Sequence, residues 1–146
     1  MNKRLWTGLV MCVMTLAIVT AKTKEPVNGV YMYGMATSLM DSVVYVTDIQ
    51  YVAKAVLNAK TAFLEARTMY SEQLRKHLEQ QGLSSHITCA VSFNVNKQKL
   101  EKAYQKTLAR YNKKKGITLN VLVNNQFVFK AVEPLNNGED NGEENK

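Results

Sequence analysis

NAKTAFLEARTMYSEQLRKHLEQQG, residues 58–82, is the stretch on which the fold turns, because one apolar stripe runs through it: Ala59, Ala62, Phe63, Ala66, Met69, Tyr70, Leu74 and Leu78. Apolar residues recurring three and four apart make one face of a helix, so the stretch reads as a helix seated on a core. The opposite face carries Thr61, Glu65, Thr68, Glu72, Arg75, Lys76 and Glu79, and belongs in water. Glu72 stands four residues before Lys76, a favourable ion-pair spacing. Asn58 is suited to accept hydrogen bonds from the first free N–H groups, and Gly82 before Leu83 suits a left-handed cap.

Upstream, residues 30–36 alternate Val30, Met32, Gly34 and Ala36 with Tyr31, Tyr33 and Met35, and residues 43–48 are rich in β-branched and aromatic side chains. With Asp41-Ser42 between them, these predict an antiparallel hairpin. In residues 49–57, Ile49, Val52 and Val56 stay in helical phase with Ala59. They read either as an early start of the helix, capped by Asp48, or as a turn ahead of Asn58. The turn is favoured, because a helix from Asp48 to Gly82 would be roughly three times the usual length.

Downstream, residues 86–94 place Ile87, Cys89, Val91 and Phe93 on one face, the pattern of a strand. A second helix follows, capped by Asn94 or Asn96, with Leu100, Ala103, Tyr104, Leu108 and Tyr111 inward, lysines outward and Gly116 as its stop. Residues 117–123 alternate again, with Ile117, Leu119, Val121 and Val123 inward, and Asn124-Asn125 turns the chain into a closing strand over 127–132. The predicted order is strand, strand, helix, strand, helix, strand, strand. The expected fold is α/β (α+β): a two-layer sandwich with a mixed four- or five-stranded sheet. Most strands show one apolar and one polar face, so both main helices are expected on one side of the sheet.

The N-terminus has Lys3 and Arg4 before an uncharged run over residues 5–21 that ends Val19-Thr20-Ala21. This is the pattern of a secretory signal peptide over residues 1–21, cleaved after Ala21 and leading to the periplasm or the cell exterior. The alternative is an uncleaved membrane anchor, since the run reaches the lower limit of a span. Residues 22–29, with Pro26 and Gly29, read as a flexible lead-in, residues 30–133 as one domain, and residues 134–146 as a disordered acidic tail. Removal of Cys12 with the signal leaves Cys89 as a lone thiol, so stability rests on packing rather than a disulfide.

The formal charge is +7, and it is unevenly spread. Between residues 97 and 115, Lys97, Lys99, Lys102, Lys106, Arg110, Lys113, Lys114 and Lys115 face Glu101 alone, a net of +7; in the tail, Glu139, Asp140, Glu143 and Glu144 face Lys146, a net of −3.

Thr47-Asp48-Ile49-Gln50, then Tyr70-Ser71 with Gln73-Leu74-Arg75, then Thr88-Cys89 ahead of the lysine-rich helix, resemble small exported proteins of unknown function from Gram-negative gut bacteria. The resemblance spans most of the mature chain. It implies export and a single domain, and no activity.

No P-loop, GxGxxG, HExxH, CxxC or GxSxG pattern is present, and Asp41, Asp48 and Glu65 are too scattered to form an acid–base pair. A binding or structural role in the bacterial envelope is therefore expected, with no catalytic residues, metal or cofactor. Two surfaces are candidates for contact. One is a tyrosine face of the first hairpin, formed by Tyr31, Tyr33 and Tyr45 and fitted to an envelope protein or a glycan. The other is the basic helix, whose Lys99, Lys102, Lys106 and Arg110 suit anionic lipid headgroups. Nucleic acid is disfavoured, because Tyr104 and Tyr111 lie on the packed stripe rather than among the lysines. The alternative activity is a small thiol-dependent or hydrolytic enzyme using Cys89 with His86 or His77. On the apolar face of its strand, however, Cys89 reads as a buried and inert hydrophobe.

Overall fold

The computed structural model describes residues 27–38, 40–83 and 86–133, so the expected signal peptide, the first five residues of the expected lead-in and the expected acidic tail lie outside the described residues. Five strands and two helices follow one another: β1 (Val27–Ser38), β2 (Val43–Thr47), β3 (Gln50–Leu57), α1 (Arg67–Gln80), β4 (Ile87–Asn94), α2 (Lys97–Asn112) and β5 (Thr118–Leu122). They make the expected mixed sheet with two helices. β1 is its centre. Along one edge β1 pairs antiparallel with β2 (Met35 opposite Val46) and, lower down, with β3 (Tyr31 opposite Tyr51); along the other it pairs antiparallel with β4 (Gly34 opposite Val91). β5 lies parallel to β2, with Tyr45 opposite Asn120.

The strand over Gln50–Leu57 replaces the turn expected there, and α1 starts at Arg67 rather than at Asn58. The cause is the length of β1. Its twelve residues outrun the five of β2, and the lower half needs a partner. A register shift lies opposite Gly29. It puts two exposed residues, Ala53 and Lys54, in a row between the buried Val52 and Ala55, and so breaks the period of two that marks a strand. Asn58 does accept two backbone N–H bonds, from Lys60 and Thr61, but they close a turn. Ala62 and Ala66 take left-handed backbone at φ 56° and 52°, which keeps the loop out of the helix and leaves Phe63 exposed. The first described residues, Val27 to Gly29, already belong to β1 rather than to a flexible lead-in.

The helices lie on opposite faces, not on one. Val30, Met32 and Ala36 of β1 join Tyr70, Leu74 and Leu78 of α1 in one core cluster, while Tyr33 joins Val44, Val46 and Leu100 of α2 in a second, with Tyr31 and Met35 against it. Alternate residues of a strand point to opposite faces, so one strand feeds both cores. Handedness explains the arrangement. The connection β3–α1–β4 crosses the sheet in one direction, and β4–α2–β5 crosses back. Two right-handed crossovers taken in opposite directions place their helices on opposite faces.

Residues 127–132 run extended against the α1 side, antiparallel to α1, but hold no backbone ladder of the kind a closing strand would have. Side chains supply the bonds. Gln50 donates through Nε2 to the Phe127 carbonyl at 2.8 Å and accepts the Phe129 N–H at 2.8 Å. Gln73 does the same for the N–H and carbonyl of Lys130, both at 2.8 Å, and the Tyr70 hydroxyl accepts the Val132 N–H at 3.1 Å. Phe127 and Phe129 are buried in the α1 core. Val121 and Val123, expected inward on β5, are exposed; Leu122, on the alternate face, is the buried residue.

Candidate functional site

α2 is shaped by Asn96, whose Oδ1 accepts the Lys99 N–H at 3.0 Å and so starts the helix. Leu100, Tyr104, Leu108 and Tyr111 turn toward the sheet. The contact is fixed by Tyr33, which meets the Tyr104 ring edge-on at 5.0 Å and bonds the Thr107 hydroxyl at 3.2 Å. With that face docked, Lys99, Lys102, Lys106 and Arg110 are exposed along the outer side of a helix of sixteen residues, about 24 Å at 1.5 Å per residue. Within the helix, Lys97 has an ion pair, to Glu101 at 3.5 Å. The Arg110 guanidinium and the Lys114 ammonium both sit over the Tyr111 ring, at 5.1 and 5.3 Å from its centroid. Cations near a helix C-terminus gain from the dipole, so this end tolerates its charge density. The row of four basic residues expected from sequence is brought together as one surface.

The tyrosine face is not. Tyr33 and Tyr45 are buried, 3% and 7% exposed, and they point into different cores on opposite faces of the sheet. Tyr45 pairs across β1 with Ala36 and therefore shares the α1 side. Tyr31 instead stacks on Tyr51, the cross-strand neighbour on β3, with centroids 4.9 Å apart. Tyr51 is 57% exposed, and its place beside Tyr31 follows from the pairing of β3 with β1, which no local pattern in residues 50–57 announces.

Cys89 lies half-buried on β4, packed against the α1 core. Burial pushes its thiol up to about 11, with Arg75 pulling weakly the other way. The charged groups acting on it are Arg75, Glu72 and Glu79, and neither histidine is among them. His77 packs on the Phe127 ring at 5.1 Å, beside a groove of about 360 Å³ between α1 and residues 126–130, while His86 is exposed ahead of β4. Among the described residues, no three His, Cys, Asp or Glu side chains gather at metal spacing.

The state of Cys89 has a measurable consequence. Labelling of the folded protein by a thiol reagent is expected to be slow at pH 7.5 and to climb with pH toward about 11, whereas the denatured chain should react readily near neutrality. Fast labelling of the folded form below pH 8 would show an activated thiolate instead. The folded state holds this proton to a higher pH than the unfolded chain does, so the associated stability is full below about 9 and is lost as pH rises toward 11.

Comparison with known proteins finds no family model, no curated protein and no solved structure that matches this chain.

Proposed function

We propose that this is an exported, non-catalytic binding protein of the bacterial envelope, and that its contact surface is the cationic outer face of α2, which docks on anionic lipid headgroups. Export rests on the basic start and uncharged run of residues 1–21. The observation that carries the contact is the exposed row of Lys99, Lys102, Lys106 and Arg110 on a helix whose other face is locked to the sheet. Ammonium and guanidinium groups on one rigid rod complement a plane of phosphates, and each contributes about 1 kcal/mol near such a surface. The raised Cys89 thiol gives no support to the thiol-enzyme alternative.

The test is partition onto lipid vesicles. Binding is expected to vesicles rich in phosphatidylglycerol, to be absent with pure phosphatidylcholine, and to fall steeply between low and high salt. Lys102→Gln with Lys106→Gln should weaken it by about thirtyfold, the equivalent of two headgroup contacts. Equal binding to both vesicle types, or indifference to salt, would overturn the reading.

A further inference from the structure

We infer that the acidic segment following Glu133 docks on the basic face of α2 and so acts as a tethered competitor for that face. The inference takes the α2 surface of the proposed function as its docking site and adds how access to it is controlled.

Three observations converge. The first is where the chain leaves the fold. Residues 127–132 run antiparallel to α1, from Phe127 beside His77 to Val132 bonded to Tyr70, so residue 133 lies at the end of the molecule where α1 begins. α2 begins at that same end. It follows β4 directly, and the β4 edge is tied to the start of α1 by Arg67, which donates to the Val91 carbonyl at 2.9 and 3.1 Å and covers the Phe93 ring at 5.6 Å. Both helices thus start from one end of the sheet, on its two sides.

The second observation is reach. Glu139 is six residues beyond Glu133 and Glu144 eleven. Extended chain spans at most about 3.3–3.6 Å per residue, which carries these carboxylates roughly 20 to 40 Å from the exit. A helix layer and a sheet layer are each about 10 Å thick. The later carboxylates therefore have the length to pass the end of the sheet where both helices start and to reach the first half of α2. Asn136, Asn137, Gly138, Asn141 and Gly142 space the acids in a stretch with little apolar surface to bury.

The third is charge. Residues 97–115 carry a net +7 with Glu101 as their one acid, and residues 134–146 carry −3. Glu72 and Glu79 are engaged by Arg75, at 2.5 and 3.6 Å, on the α1 side. A tethered segment has an effective concentration in the millimolar range, so weak exposed ion pairs suffice to populate the contact at low salt.

The test needs no lipid. A carbodiimide joins a carboxylate to an amine when the two are in ionic contact, losing water to form an amide. Treatment of the full chain at micromolar concentration and low salt should link Glu139, Asp140, Glu143 or Glu144 to Lys99, Lys102, Lys106 or Lys113–Lys115 within monomers, and 1 M salt should abolish those links. Links spread equally over Lys54, Lys60, Lys76 and Lys130, links confined to dimers, or no links from the segment would each overturn the inference. Competition is read separately on anionic vesicles, where Glu139→Gln, Asp140→Asn, Glu143→Gln and Glu144→Gln together should tighten partition about two- to fivefold. Unchanged partition would refute competition. A chain that forms the links but binds no vesicle would instead refute the lipid reading and leave the docked segment standing.

Discussion

Gln50→Leu is expected to lower the free energy of unfolding by about 3–5 kcal/mol, a large effect for a change that nearly conserves volume. The Gln50 side chain is 6% exposed and makes three bonds: Nε2 to Asp48 Oδ1 at 2.9 Å, Nε2 to the Phe127 carbonyl, and Oε1 from the Phe129 N–H. Leucine keeps the packing and removes every partner. The half-buried Asp48 carboxylate can turn to water, but the backbone groups of Phe127 and Phe129 sit beside two buried rings packed edge-on at 4.8 Å. Each orphaned buried group costs about 1–3 kcal/mol. Urea denaturation of the two proteins measures the loss. Hydrogen exchange at the Phe129 amide locates it, because that proton should lose protection beyond what global destabilisation explains. A change under about 1 kcal/mol would mean that water or the backbone takes over these bonds.

That node also shows why part of the molecule was legible in sequence and part was not. Thr47-Asp48-Ile49-Gln50 stands out as a motif without chemistry, and the fold gives it a structural use. Thr47 Oγ1 accepts the Gly34 N–H and donates to the Asp48 carbonyl, while Asp48 Oδ2 accepts the Asn124 N–H at 3.2 Å. The partners of Gln50 and Asp48 are 76 to 79 residues away, and no local pattern points to them. Among the described residues no buried side-chain nitrogen or oxygen lacks a partner, so the motif closes its own polar account. β1 and β4 are legible because apolar residues alternate along them, and β2 because Val43-Val44-Tyr45-Val46-Thr47 is rich in β-branched and aromatic side chains; β5 is legible as a strand, although Val121 faces outward. β3 is not, because its bulge breaks the period of two.

The placement of the helices failed for a related reason. In sequence, β1 shows one apolar and one half-polar face, since Tyr31, Tyr33 and Met35 alternate with Val30, Met32 and Ala36. A tyrosine counts as polar or apolar according to whether its hydroxyl finds a partner, and Tyr33 finds Thr107 on α2. Both faces are therefore buried, as strands sandwiched between helices usually are. The same ambiguity produced the tyrosine contact surface that the structure dissolves. The lysine row survived because exposed charge at helical spacing needs only the helix itself: Lys99, Lys102, Lys106 and Arg110 share one side whichever face of the sheet α2 covers.

Tyr70→Ala is expected to be the most damaging single truncation, at about 4–6 kcal/mol, against about 1 kcal/mol for Tyr70→Phe. Tyr70 is fully buried in the first turn of α1, in line with Leu74 and Leu78, and faces the Phe129 ring at 6.2 Å. Deleting an aromatic side chain at such a site costs about 3–5 kcal/mol in lost transfer and an unfilled cavity. The cavity would be slow to collapse. Its walls are the rigid centre of β1, where Gly34 already meets Leu74 and Phe129 so closely that an added Cβ would stand 2.7 and 3.0 Å from them. The remainder is the hydroxyl bond to Val132, which phenylalanine removes alone. Comparing the two variants by urea denaturation separates packing from latching. Equal losses would place the whole contribution of Tyr70 in the latch, and an alanine cost below about 2 kcal/mol would mean that α1 repacks freely on the sheet. Because Val132 is the last backbone group held before residue 133, Tyr70→Phe also tests where the acidic segment departs: the carbodiimide links to α2 should persist but spread toward more distant lysines as its anchor point moves back to Lys130.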